Sequence, residues 1–263
     1  MITFSIIINT HNQDRFIHDA INSCLKQTYK NYEIIIIDSS KSKVNLKKYS
    51  DNKKKIKYIH IKPTHRQPEL NQIDKIMIGF KKSKGDYLAL LDGDDYFNKN
   101  KLFKLNKILK KKKIFCNQDL PILFNKNFKK KMFVKKYKNK VYTKYILNNW
   151  PQIYGTSSIL IKKQIMRLFL KKIKPLNWKY LAIDAQLILF CKKYLMQSEY
   201  LEGLTFKRLH KKNLGSSYMN ILKRKFWERR YMQFKYSKYL GMNVKLSIDL
   251  VFTNFIYLIL RYL

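Results

Sequence analysis

The chain opens on two runs in which apolar residues follow one another almost without interruption, Phe4 to Asn9 (FSIIIN) and Glu33 to Asp38 (EIIIID). Both are short and rich in isoleucine, the pattern of strands buried on both faces of a parallel sheet. Between them Ile17, Ala20, Ile21 and Cys24 recur at i, i+3, i+4 and i+7, which predicts an amphipathic helix with Asp14 as its N-cap. Strand, helix and strand in that order make a βαβ unit. Tyr58 to Ile61 predicts a third strand, Ile73 to Lys82 a helix closing near Gly85, and Tyr87 to Leu91 a fourth strand that runs into Asp92-Gly93-Asp94-Asp95. Open α/β sheets bind ligands at the carboxyl ends of their strands, so the polar residues delivered there are the first candidates for chemistry.

The pattern then changes. From Lys99 to Lys140 there are 16 lysines against one acid, Asp119, which predicts a helix followed by a basic connection. Trp150 to Ser158 reads as a loop, Ile159 to Ile161 as a short strand, and Lys162 to Ile173 and Ile183 to Leu195 as helices. Tyr218 to Leu240 is helical in pattern, and Leu246 to Leu263 gives a last apolar helix. The predicted organisation is an α/β body over 1–217, with parts 1–100 and 101–217, and a basic helical extension over 218–263. In that extension Trp227, Tyr231 and Phe234 fall at i, i+4 and i+7 among seven Lys/Arg (Ile221 to Leu240), an apolar stripe bordered by cations that predicts docking on an anionic membrane surface.

Charge sharpens this picture. Lys and Arg number 56 against 17 acids, a net charge of +39, but 48 of the 56 are Lys. Sites that read bases or clamp phosphates bidentately favour Arg, so nucleic acid is not the expected partner; anionic lipid or an anionic substrate is. Cys24, Cys116 and Cys191 are too few and too scattered for a disulfide framework or Cys-x-x-Cys metal spacing, which suits a reducing, cytoplasmic setting. The first apolar run lacks a basic leader, and the longest uncharged apolar stretch, Leu250 to Leu260, is eleven residues, short of the ~18 that span a bilayer. The expectation is a protein with no export signal, peripheral on the inner face of the cell membrane.

The densest chemistry is LALLDGDDYF, where three of the 17 acids, Asp92, Asp94 and Asp95, fall within four residues at a strand end. Carboxylates this close repel one another, and a divalent cation relieves that repulsion while keeping positions open for phosphate oxygens. A solvated acidic turn is the plainer reading. A calcium EF-hand is not, because its twelfth position would be Phe103 rather than Glu.

Two long stretches, FSIIINTHNQDRFIHDAINSCLKQTYKNYEIIIIDSS (4 to 40) and GFKKSKGDYLALLDGDDYFNKNKL (79 to 102), together with IYGTSSILIKK, LAIDAQLIL and KRLHKKNLGSS downstream, resemble the family 2 glycosyltransferases and their GT-A fold. The resemblance implies an α/β domain with a mixed, mainly parallel sheet and a nucleotide-diphosphate sugar as donor. It implies that Thr10, His11 and Asp38 line the nucleoside pocket, and that Asp92, Asp94 and Asp95 hold Mn²⁺ or Mg²⁺ against the diphosphate. Where many members carry two adjacent acids this chain has Asp38-Ser39-Ser40, which leaves the base open. Asp184 matches the family's general base, although its preceding Glu is Ile183 here and a lone Asp opening a helix is also a common N-cap. Arg208 and His210 match an Arg-x-His stretch, followed by Asn213 and Ser216, that would clamp the diphosphate or complete the metal shell. Thr156 to Ser158 would sit near the acceptor, a saccharide or lipid-linked hydroxyl. The implied activity is inverting sugar transfer in surface polysaccharide or lipopolysaccharide synthesis. A non-catalytic basic protein binding membrane or nucleic acid would leave the Asp cluster unexplained, and a nucleotidyltransferase would commonly carry a Gly-rich loop where this chain has Thr-His-Asn-Gln-Asp.

Overall fold

The computed structural model describes residues 1–125, 128–133, 153–194, 200–210 and 221–262. Four parallel strands, β1 (Phe4–Thr10), β2 (Tyr32–Asp38), β3 (Ile56–His60) and β4 (Tyr87–Asp92), lie in the order β3-β2-β1-β4. The sheet continues from β4 through the antiparallel β8 (Ile159–Lys162), then β6 (Cys116–Asn125) and β9 (Tyr200–Arg208), to the two-residue β5 (Tyr96–Phe97). β7 (Phe128–Phe133) pairs with β6 outside that path.

The apolar runs are continuous because both faces of the sheet are covered. In β1, Phe4, Ile6 and Ile8 pack on one side while Ile7 packs on the other; in β4, Ala89 and Leu91 oppose Leu88 and Leu90. The first side is closed by α1 (Ile17–Leu25), whose Ile17, Ala20, Ile21 and Cys24 are fully buried as their spacing predicts, and by α3 (Lys101–Lys111). The second is closed by α2 (Pro68–Lys82), α4 (Lys163–Lys172) and α5 (Ile183–Tyr194). α2 begins five residues before the expected Ile73 because Pro68 fits the first helical turn and Glu69 follows it there. Asp14 does not cap α1. The chain first makes a turn in which the Gln13 carbonyl accepts the N–H groups of Phe16 and Ile17, so the helix starts two residues later than that cap requires.

β6 and β9 were not expected from the pattern. β6 carries Asn117, Gln118 and Asp119 with all three side chains buried, and β9 is interrupted by Gly203. Their polar residues have inward work. Lys101 Nζ, 1% exposed, donates to Asp119 Oδ1 (2.8 Å), Thr205 Oγ1 (2.7 Å) and the Ser157 carbonyl (3.0 Å) and lies over the Phe97 ring. That buried pair ties α3, β6 and β9 together beneath the end of β4.

The C-terminal helices α6 (Arg224–Tyr239) and α7 (Ile248–Tyr262) are joined to this body. Tyr236 is fully buried, its hydroxyl donates to the Gln186 carbonyl (3.1 Å) and its ring meets Trp178 edge-on. The predicted stripe on α6 is largely occupied within the protein: Phe234 is buried, the half-buried Tyr231 stacks on Tyr257 of α7 at 3.8 Å, and the half-buried Trp227 stands 6.0 Å from the exposed Phe252. An apolar stripe on one helix is satisfied as well by a neighbouring helix as by lipid, and here α7 supplies the cover. No described helix is long and apolar enough to cross a membrane.

Candidate functional site

β1, β2 and β4 end side by side, with Thr10 in register with Asp38 and Asn9 with Asp92. Two clusters of side chains grow from that edge.

The first surrounds Asp38. Its carboxylate is fully buried, and Oδ1 accepts the Ser40 N–H (2.8 Å) while Oδ2 accepts the Tyr58 hydroxyl (2.7 Å) and the Val44 N–H (3.3 Å). Burial alone pushes such a carboxyl upward; the donors from Ser40, Tyr58 and Val44 outweigh it and hold Asp38 below the usual carboxylate range. Beside it the Thr10 carbonyl accepts the Ser39 N–H (3.1 Å) and Lys75 Nζ (2.9 Å), and Lys75 also donates to Ser39 Oγ (3.1 Å). Lys75 is 4% exposed; burial pulls its ammonium down to about 8, against the opposing pull of Asp92 and Asp38. His11 is exposed at the rim, with Nδ1 2.7 Å from the Ser39 carbonyl and Nε2 3.1 Å from Asn12 Nδ2.

The second cluster is acidic. One oxygen from each of Asp92, Asp94 and Asp95 lies within 4.8 Å of the others. Asp92 Oδ1 accepts from Asn9 Nδ2 and Gln72 Nε2, each at 2.8 Å. Asp95 is clasped from both sides, by the Ser157 hydroxyl on Oδ2 (2.6 Å) and the Arg208 N–H on Oδ1 (2.8 Å). Asp94 Oδ2 is 2.9 Å from His210 Nε2, whose ring stacks on Phe16. Burial first and the neighbouring Asp94 second push Asp92 up to about 6. The same burial, with Asp94 and Asp92 adding, pushes Asp95 well above the carboxylate range. Lys207 on β9 pulls both back toward ionisation. Gly93 forms the wall between the clusters, since a Cβ there would come within 2.6 Å of Thr10 Oγ1 and Gln13 Oε1.

Hard carboxylate oxygens gathered in a buried, mutually repelling group are the donor set that Mg²⁺ or Mn²⁺ takes, and the raised carboxyls measure how poorly the group bears its charge alone. The residues present therefore fit a divalent cation.

Thr10, His11, Asp38, Asp92, Asp94, Asp95 and His210 thus share one edge of the sheet. Arg208 is nearby but turned inward. It is 4% exposed, with Nη2 on Asp19 Oδ2 (2.7 Å), Nε on the Asp94 carbonyl (3.0 Å) and its guanidinium over the Phe16 and Phe124 rings. The expected acceptor hydroxyls are also consumed internally. Thr156, Ser157 and Ser158 are each no more than 3% exposed; Ser157 serves Asp92 and Asp95, and Ser158 donates to the Gly155 carbonyl (2.7 Å). Asp184 stands in the first turn of α5, half-buried, with Oδ1 on the Ala185 N–H (2.7 Å); no described hydrogen bond or ion pair joins it to the acidic cluster. Asn213 and Ser216 lie outside the described residues. Lys75, Gln72 and Lys207 escaped the sequence reading: in a chain with 48 lysines neither lysine carries a local signal, and Gln72 meets Asp92 only through the fold.

Residues 5–169 match the family model described as "Glycosyl transferase family 2". An uncharacterized glycosyltransferase of Haemophilus influenzae is 35% identical over 107 residues, 40% of this chain and 41% of that protein. The chain spans less than half the length of the curated relatives it matches. Among solved structures, Staphylococcus aureus TarS residues 1–349 in complex with UDP-GlcNAc superposes with a TM-score of 0.62 at 14% identity, over 97% of this chain and 70% of that one. Mannosyltransferase PcManGT from Pyrobaculum calidifontis, in complex with GDP-Man and Mn²⁺, gives 0.57 at 10% identity over 96% and 69%. Likeness at such identities shows the fold: an α/β GT-A arrangement with a mixed, mostly parallel sheet and C-terminal helices.

Proposed function

The chain belongs to glycosyl transferase family 2, and from that premise we propose that it is an inverting, metal-dependent transferase that moves a sugar from a nucleoside diphosphate donor to an acceptor hydroxyl in cell-surface polysaccharide or lipopolysaccharide synthesis. The observation that carries this reading is the acidic cluster at the end of β4, where one oxygen from each of Asp92, Asp94 and Asp95 lies within 4.8 Å of the others. Thr10, His11 and Asp38 would line the nucleoside side, the ionised Asp38 accepting hydrogen bonds from base or ribose. Asp92, Asp94 and Asp95 would hold Mn²⁺ or Mg²⁺, with His210 steadying Asp94. A divalent cation at that position supplies charge compensation for the departing diphosphate. Arg208, saturated by Asp19, the Asp94 carbonyl and two aromatic rings, would act by fixing the acidic turn. In the single displacement the acceptor oxygen bonds to the anomeric carbon as the bond from that carbon to the diphosphate breaks. Asp184 takes the acceptor proton, so no covalent enzyme intermediate forms.

Purified protein offered a panel of sugar nucleotides with Mn²⁺ and acceptor should release nucleotide, and excess chelator should stop it. Asp184→Asn should lower the chemical step by roughly 10²- to 10⁴-fold with donor affinity unchanged. Full turnover in chelator would remove the metal from the reading; full turnover of Asp184→Asn would leave that residue only its bond to the Ala185 N–H.

A further inference from the structure

α7 turns Asp249, Leu250 and Thr253 inward and leaves Ile248, Val251, Phe252, Phe255, Leu258 and Tyr262 at least 50% exposed. Those six fall at i, i+3, i+4, i+7, i+10 and i+14, one continuous face, and it is wholly apolar. Ile221 and Leu222, 60% and 89% exposed, extend it through Trp227, whose Nε1 donates to the Ile221 carbonyl (2.7 Å) and whose ring neighbours Phe252. A surface of this kind on an otherwise well-buried body needs a partner.

Charge identifies the partner. Residues 221–262 contain nine Lys/Arg and two acids, and both acids are buried against arginines, Glu228 on Arg224 (3.0 Å) and Asp249 on Arg230. Of the cations, Lys223 and Lys225 beside Leu222, Lys245 before α7 and Arg261 at its end are exposed and adjoin the apolar residues along the chain. A second copy meeting this face would press like charges together, and nucleic acid gains little from aliphatic side chains. A bilayer with anionic headgroups accommodates both the apolar face and its cations. At 15 residues α7 is ~22 Å long, short of the ~30 Å hydrocarbon core, so it would lie in the plane of the interface. We propose that the outward face of α7, extended by Ile221 and Leu222, is a docking surface for an anionic membrane. Of the Trp227, Tyr231 and Phe234 stripe, Phe234 is buried, Tyr231 stacks on α7 and Trp227 borders this outward face.

The test is co-sedimentation of the full chain with phosphatidylglycerol-containing vesicles at low salt, beside pure phosphatidylcholine vesicles, together with sedimentation velocity of the protein alone. The expected result is binding to the anionic vesicles only, weakened by salt, and at least about tenfold weaker for the double variant Phe255→Glu, Leu258→Glu, which loses two apolar side chains that the bilayer would bury. Both positions are exposed, and an unchanged circular dichroism spectrum would confirm the variant's fold. As a second measurement, Phe255→Trp should show a blue-shifted emission increment on adding anionic vesicles. No wild-type binding, undiminished binding of the double variant, or an unshifted Phe255→Trp would overturn the proposal. So would a wild-type dimer that the double variant dissolves while vesicles bind neither. No sugar transfer is measured, so the outcome is independent of the catalytic reading.

Discussion

Asp38, at the end of β2, and Asp95, in the turn after β4, are both almost wholly buried at the same edge of the sheet, yet their carboxyls move in opposite directions. Asp38 has three donors on two oxygens and no acidic neighbour among its hydrogen-bond partners. Asp95 accepts from the Ser157 hydroxyl and the Arg208 N–H, and must share its surroundings with Asp92 and Asp94. Burial is the common term, so the contrast comes from what surrounds each charge. The Asp38 side has its charge satisfied by donors, whereas the acidic side holds carboxyls that repel one another, the donor set a divalent cation takes.

Four substitutions should separate the two sides. The largest effect belongs to Asp94→Asn, which should cut sugar-nucleotide turnover by on the order of 10²- to 10³-fold, the scale of a lost metal ligand. In chelator its melting temperature should equal or exceed the wild type's, because one of three like charges is gone. Next, Asp38→Ala should cost on the order of 3 kcal/mol in urea unfolding, since it strands the Ser40 and Val44 N–H groups and the Tyr58 hydroxyl. A loss of a few tenths there would mean that Asp38 is not held as described.

The smallest and most diagnostic effect is in pH. Asp92, raised to about 6, keeps its proton more tightly folded than unfolded, so its ionisation costs stability as pH rises from about 4 through 6. Metal-free Asp92→Asn should therefore equal wild type near pH 4 and exceed it by on the order of 1 kcal/mol at pH 7. Asp38 has the opposite sign, its carboxylate contributing at neutral pH and failing as pH falls below the usual carboxylate range. Thermal melts across pH for Asp92→Asn and Asp38→Asn should thus diverge from wild type in opposite senses, and parallel curves would erase the distinction.

How much of this was legible depended on how local each signal was. β1, β2 and β4 announce themselves because a strand covered on both faces must be apolar along its length. The acidic cluster was legible because four adjacent residues carry it. β6 stayed hidden because its buried Gln118 and Asp119 look like loop residues until Tyr154 meets the first and Lys101 and Thr205 the second. Lys75 stayed hidden for the same reason, its partner carbonyl lying 65 residues away. The α6 stripe was visible, but sequence could not say whether lipid or α7 covers it.

The clasp on Asp95 also bears on the order in which the chain is made. Ser157 lies 62 residues downstream of Asp95 and Arg208 lies 113. A nascent chain that has cleared the ribosome only through its first hundred residues already displays Asp92, Asp94 and Asp95, but neither clasp exists. The turn acquires its native arrangement only after β9 has threaded between β6 and β5, among the last strands to be synthesised. A stalled or prematurely terminated product would then carry Asp92, Asp94 and Asp95 without the two contacts that fix Asp95.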